Sequence, residues 1–303
     1  MKVLRTPDNC FENLPGYDFD PNYIEVDSSD GTALRVHYLD EGPRDGQIVL
    51  MMHGEPSWCY LYRKIIPVIV AAGYRAIAVD LVGFGRSDKP AEQSDYTYAT
   101  HVDWVNQFIR GLDLSNVTLM AQDWGGLIGL RVVTDNVERF ARVVVANTGL
   151  PEGSGKAPIE FEDWLAFSQS VPELPVGDII GGSCLEPLTA DIIAAYNAPY
   201  PDESYKAGAR IFPALVPFSE DDPGAIDNKK AWQILKDFDK PFITAFSDSD
   251  PITKAFEPIF QQRVAGAKGQ AHTVIKKAGH FLQEEKGEEL AQVICDFIAA
   301  NPL

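Results

Sequence analysis

The sequence predicts an α/β fold: a mostly parallel sheet flanked by helices, with a helical segment inserted late in the chain. Three observations predict it. Continuous apolar runs of strand length alternate with stretches of helical spacing through the first half, and again at the end. The alternation stops between about residues 149 and 228, where Pro, Gly, Ser and aromatics dominate and no good strand occurs. One stretch, Ala121-Gln122-Asp123-Trp124-Gly125-Gly126, has the form of a sharp strand–turn–helix junction.

Each element follows from its residues. Residues 23–28 and 33–39 are β-rich and joined by the turn Ser29-Asp30-Gly31-Thr32, which predicts an antiparallel hairpin. The apolar run 47–52 predicts a buried central strand. Residues 57–72 have helical spacing, with a kink at Pro67 and a stop at Gly73. A strand at 74–79 leads into the glycine-rich loop 80–88, and 98–112 is helical. Strand 117–121 ends at the junction, helix 127–134 follows it, and 140–146 is the next strand. Short helical patches at 159–168 and 189–196 interrupt the irregular stretch. Alternation returns with strand 241–246, helix 252–264, strand 273–275 and a closing helix at 288–300. One interrupted sheet fits better than two sequential domains, giving a core of residues 1–148 and 231–303 and a helical cap of 149–230.

The chain has 303 residues and a formal net charge of −18. A field of that sign repels nucleic acid and anionic lipid, and the acidic residues are spread as a solvated surface. Four cysteines, Cys10, Cys59, Cys184 and Cys295, lie far apart and form no metal-binding or redox pair, as expected of free thiols in a reducing cytoplasm. No apolar run approaches the roughly 20 residues that span a bilayer. The expectation is a cytoplasmic enzyme, monomeric, with no membrane or nucleic-acid partner, no cofactor and no metal. The Gly83-Phe84-Gly85 loop lacks the lysine of a phosphate-binding loop and reads as close backbone packing.

Ligands of open α/β sheets bind at the carboxyl ends of the strands. Three polar candidates follow such ends: Asp123 after 117–121, Asp250 after 241–246, and His280 a short loop after 273–275. Asp248, two residues before Asp250, is the rival acid. A carboxylate at the tip of the sharp turn attacks saturated carbon and displaces a leaving group, whereas a serine there would make an acyl-enzyme. The backbone of His53-Gly54-Glu55-Pro56, after strand 47–52, is placed to offer an oxyanion-hole N–H at Glu55 beside that of Trp124. His53 reads as a structural hydrogen-bonding residue, and His37, His101 and His272 carry no role.

These residues resemble those of haloalkane dehalogenases of the α/β-hydrolase fold, over nearly the whole chain. The resemblance rests on His53-Gly54-Glu55-Pro56-Ser57-Trp58, on residues 80–90, on Gln122-Asp123-Trp124-Gly125-Gly126 and on Gly279-His280-Phe281. The order Asp123, Asp250, His280 is the nucleophile–acid–histidine order of that fold. The sequence departs from its pattern at Ala121 and Ser247, where glycine is usual.

The resemblance implies that Asp123 displaces halide from a small haloalkane, that His280 with Asp250 activates water against the resulting ester, and that indole N–H groups solvate the halide. It implies Trp124 as one halide donor. Glu55, read as a carboxylate, cannot be the second, which points to Trp164. Phe161, Phe212, Pro213 and Val216 are the implied pocket wall, while Trp58, Trp104 and Trp232 read as packing residues. Two rivals remain: an epoxide hydrolase using the same Asp and His with Tyr196, Tyr200 or Tyr205 as acid, and a silent ligand receptor on the same scaffold.

Overall fold

The structure, a computed structural model, describes residues 1–154 and 156–303. Its main sheet, among the described residues, has eight strands: β1 (Asn22–Asp27), β2 (Ala33–Glu41), β3 (Ile48–Met52), β4 (Arg75–Val79), β5 (Val117–Gln122), β6 (Phe140–Ala146), β7 (Phe242–Ser247) and β8 (Thr273–Ile275). Their spatial order is β8-β7-β6-β5-β3-β4-β2-β1. The hairpin partners β1 and β2 run antiparallel, as does β2 against β4, and all other pairs are parallel. Gly31 closes the hairpin turn at φ +81°, where its N–H donates to Ser28 O. Central strands are covered on both faces, so all six residues of β5 are buried, Thr118 and Gln122 included.

Register sets the site. Met52 lies opposite Ala121, Gln122 opposite Ala146 and Ser247 opposite Ile275, so these strand ends reach one edge of the sheet. Helices α1 (Ile66–Ala71), α2 (Tyr98–Gly111), α3 (Trp124–Asp135), α9 (Glu257–Arg263) and α10 (Leu282–Ala300) accompany the strands. Between β6 and β7 the chain makes α4 (Ile159–Ser170), α5 (Val176–Gly182), α6 (Ala190–Asn197), α7 (Ala207–Ile211) and α8 (Pro223–Asp237), so residue 230 falls within a continuous helix.

Three helical expectations are corrected. The stretch 57–72 is a 3-10 turn at Cys59–Tyr62 followed by α1, with Pro67 in the first turn of that helix. A missing N–H costs nothing there, so Pro67 opens a helix and bends none. The helix expected at 252–264 begins only at Glu257, because the Asp250 carboxylate captures the N–H groups of Ile252 and Thr253 in a turn. The closing helix starts six residues early, at Leu282, and is broken by the non-helical Lys286 (φ −134°, ψ 36°). Glu284 is buried in that extra turn by paired hydrogen bonds from Arg63, both 2.7 Å, and one from Tyr196 Oη at 2.6 Å.

Candidate active site

Asp123 sits between β5 and α3 at φ 51° and ψ −127°, a strained conformation for a residue with a side chain. Strain of order 1–3 kcal/mol persists only where surroundings impose it. Here the Asp123 N–H donates to Asn147 O at 3.0 Å, and Thr148 Oγ1 donates to Asp123 O at 2.7 Å. The glycines that follow are required by crowding. A Cβ on Gly125 would lie 2.0 Å from Met52 O, and one on Gly126 would lie 2.1 Å from Thr148 Oγ1. Asp123 caps α3 through its backbone carbonyl, which accepts the Gly126 and Leu127 N–H groups, while its carboxylate makes no cap bond.

Asp123 Oδ1 accepts the Glu55 N–H at 2.8 Å, and Oδ2 lies 3.6 Å from His280 Nε2. His280 Nδ1 in turn lies 3.2 Å from Asp250 Oδ1. Asp250 is buried, whereas its rival Asp248 points to the 277 loop and accepts the Lys277 N–H. Burial alone would lower the His280 pKa, but the charges of Asp250 and Asp123 outweigh it and raise it to about 10. Burial likewise pushes Asp250 up, and the nearby His280 charge with hydrogen bonds from Thr253 and Ile252 brings it down to about 2.

Three predicted residues thus meet at one point, held by groups that the sequence reading left without a role. Asn147 (φ 36°) donates from Nδ2 to Ser247 Oγ and to the Gly279 and His280 carbonyls, and accepts the Ser247 N–H. It ties β6 and β7 to the histidine loop. The buried Gln122 amide lies 3.0 Å from His280 Nε2 and donates to His280 O at 3.2 Å. Gln122 stands in the junction motif, a signal that could have marked it. The only sign of Asn147 was its place one residue past a strand end. From the opposite side Ser183, at the end of α5, accepts the His280 N–H at 3.0 Å.

A cavity of about 190 Å³ opens on these groups. An apolar cavity of about 150 Å³ holds benzene, so this one takes a molecule of similar size. Asp123, His280, Glu55, Trp124 and Trp164 line it. Phe161, Pro213 and Val216 also line it. Phe212 does not; it is fully buried behind Trp124, with ring centroids 4.5 Å apart. Leu127, Phe218 and Phe256 complete much of the wall and were missed, since each looks like ordinary core in sequence.

Four of the five indoles divide into two kinds. Trp58 Nε1 and Trp232 Nε1 donate to the Ala195 and Leu150 carbonyls. Trp124 and Trp164 face the cavity, and their N–H groups have no protein acceptor among the described residues. Tyr196 Oη is engaged by Glu284, and neither Tyr200 nor Tyr205 is part of the cavity wall.

The Glu55 side chain belongs to the same wall. Its residue is 5% exposed, its Oε1 has no partner, and burial together with the Asp123 charge pushes its pKa well up. Both causes work against ionisation of this side chain, which the sequence reading took as a carboxylate.

Elsewhere His53 Nε2 accepts the Leu81 N–H at 3.0 Å, a structural link as expected. His37, Cys59 and Asp80 also cluster, with His37 Nδ1 at 2.7 Å from Asp80. Asp80 is already occupied by the Cys59 and Arg86 N–H groups, so the trio braces loop 80–88. The four cysteines are unpaired. Among the described residues no helix is long and apolar enough to cross a membrane.

A family profile described as alpha/beta hydrolase fold matches residues 47–287. A haloalkane dehalogenase of Psychrobacter cryohalolentis is 57% identical over 302 residues, covering 100% of both chains. One from Mycobacterium marinum is 47% identical, covering 97% of this chain and 99% of its own. The solved structure of the haloalkane dehalogenase DpaA from Paraglaciecola agarilytica, described as tetrameric, superposes with a TM-score of 0.87 at 36% identity, over 97% of each chain. With its sheet order, its Asp123 junction and these full-length likenesses, the chain belongs to the haloalkane dehalogenase family of α/β-hydrolases.

Proposed function

We propose that this chain hydrolyses the carbon–halogen bond of small haloalkanes to an alcohol, a halide and a proton, through an ester on Asp123. One observation carries the reading: a strained carboxylate lies between an N–H donor and a histidine, in a mostly apolar cavity that presents two unengaged indoles. The Asp123 carboxylate attacks the carbon bearing halogen as the carbon–halogen bond breaks. Water would solvate the departing halide, but a dry cavity must supply donors itself, and Trp124 and Trp164 fill that need.

The two carboxylates keep His280 protonated in the resting site. Ester formation removes the Asp123 charge and with it part of that hold, so the imidazole releases a proton to solvent and becomes a base. It then takes a proton from water as the oxygen attacks the ester carbonyl. The oxyanion falls to the N–H groups of Glu55 and Trp124, each such donor being worth about 2.7–4 kcal/mol. Collapse returns the His280 proton to the departing alkoxide. Asp250 orients the ring and stabilises its charged form. The scheme requires no cofactor or metal.

In this reading residues 149–230 act as a cap that closes the cavity, and the chain works as a monomer in the cytoplasm, all site groups coming from one chain. The test is His280→Ala with 1-bromobutane. One bromide per site should be released and the protein mass should rise by the butyl group. An unmodified mass after exposure would refute the covalent route.

A further inference from the structure

In the scheme above the His280 imidazole has two duties. It rests protonated between two carboxylates, and it turns into a base once Asp123 is esterified. A group able to tip it stands at the end of β5. Gln122 is fully buried there, and its amide nitrogen lies 3.0 Å from His280 Nε2, the atom that takes the proton of water.

Neighbours fix which end of the amide faces the ring. Gln122 Nε2 donates to His280 O at 3.2 Å, where an oxygen in its place would meet that carbonyl with no hydrogen between them. Gln122 Oε1 points the other way and accepts from the buried Gln283 Nε2 of α10 at 3.4 Å. An amide nitrogen carries two protons. One goes to the His280 carbonyl, so the other is directed at Nε2. A bare Nε2 accepts it, whereas a protonated Nε2 sets donor against donor. The bond therefore favours the neutral ring, with its proton on Nδ1, 3.2 Å from Asp250 Oδ1.

The remaining groups around the ring act differently. Asp250 and Asp123 favour the charged form, and Glu55 acts on the ring from across the cavity. From α10, Glu285 accepts the Gly279 N–H at 2.6 Å, and Glu284 is engaged by Arg63. From the α5 side Ser183 holds the His280 backbone, and burial pushes the Cys184 thiol up to about 12, so it is uncharged. Among the described residues Gln122 is the one donor that reaches Nε2. In the resting site two carboxylate charges outweigh it. Ester formation removes one of those charges and leaves the amide in place, so the balance passes to the neutral ring.

We propose that Gln122 is the positioning residue that turns His280 into a base, its amide N–H at Nε2 favouring proton release when the Asp123 charge is lost. The Nε2–H bond breaks and its proton goes to solvent. Water then replaces the amide at Nε2, and the water O–H bond breaks towards that nitrogen as its oxygen bonds to the ester carbonyl. The second amide proton stays on His280 O throughout, and Gln122 itself exchanges no proton. The proposal rests on the ester reading above.

The test is Gln122→Met, which keeps the length of the side chain and removes the donor. Single-turnover mixing with 1-bromobutane, followed by intact mass, gives the decay rate of the butyl ester at each pH for wild type and variant. A bond made only by the neutral ring holds its pKa down, so the acid limb of that rate should move up by about one pH unit in Gln122→Met. Below the limb the variant is then about tenfold slower, and well above it the two rates converge. An unshifted limb, or a loss by the same factor at every pH as misplacement of the ring would give, would overturn the proposal. A second measurement leaves Gln122 in place. Asp123→Asn makes the nucleophile uncharged, as the ester does. Nitrogen NMR of that variant, with isotope-labelled histidine and glutamine at neutral pH, should show His280 protonated at Nδ1 alone and coupled through a hydrogen bond to Gln122 Nε2. A ring protonated at Nε2 there would equally overturn the proposal. Failure of the underlying reading shows separately, as a His280→Ala protein that takes up no butyl group.

Discussion

Gly54→Ala places one methyl group against the nucleophile. A Cβ built on Gly54 lies 2.2 Å from Asp123 Oδ1, 2.3 Å from its Cβ and 2.6 Å from Cγ. Ordinary contact begins at 3.4 Å, so Oδ1 must retreat by about 1.2 Å. It cannot retreat freely. The Asp123 backbone is held by Asn147 and Thr148, and Oδ1 is tethered to the Glu55 N–H at 2.8 Å. A retreat of that size breaks the tether and changes the 3.6 Å approach of Oδ2 to His280. Displacement of a reacting group by 1 Å costs about 10²-fold in rate, so halide release in a single turnover should slow by about that factor. The assay is rapid-mixing bromide release from 1,2-dibromoethane, paired with a thermal melt to show the variant folded. A folded Gly54→Ala protein that releases bromide at the wild-type rate would refute the reasoning.

Two further outcomes follow from the same geometry. Trp164→Phe removes a single indole donor from a half-buried ring, and a hydrogen bond to a charged group is worth about 1.5–3 kcal/mol, so bromide affinity should fall roughly tenfold to a hundredfold. Bromide quenching of fluorescence reads this, and unchanged quenching would remove Trp164 from the halide site. Stability should also depend on pH in two windows. The folded pKa of His280 is raised from 6.5 to about 10, so its contribution is full below 6.5 and lost as pH rises to about 10. That of Asp250 is lowered from 3.8 to about 2, so its contribution is present above 3.8 and lost as pH falls through about 2. Urea titrations across pH should show both arms. An alkaline arm equally steep in His280→Ala would count against the assignment.

Much of the sheet was legible because its central strands are buried on both faces: β3 reads as an unbroken apolar run, and β4 and β6 are apolar but for one arginine each. Helices α5, α7 and α8 were not legible. The first two are short and glycine-containing, and α8 carries several charges around a narrow apolar stripe of Ala225, Trp232 and Leu235. The start of α10 hid because its first turn is buried through polar pairs, with Glu284 held by Arg63 and Tyr196. The meeting of Asp123, Asp250 and His280 could be read from chain order, since each follows a strand that ends at the same edge. The upward shift of the Glu55 acid could not, because it depends on burial and on a neighbour 68 positions along the chain. Nor could the position of Phe212, which spacing alone does not separate from the cavity-facing Pro213.

The bond from the His280 amide to Ser183 makes the roof and the base parts of one lever. A Cβ on Gly279 would lie only 2.2 Å from the same carbonyl, so the two segments have no slack between them. Swinging α5 outward to admit a guest would drag the imidazole with it and spoil its aim. On the other side α4 carries Trp164 and has no such strap to the histidine loop among the described residues. A lineage altering its diet has freedom to remodel that side, while the Ser183 side stays fixed by the chemistry beneath it.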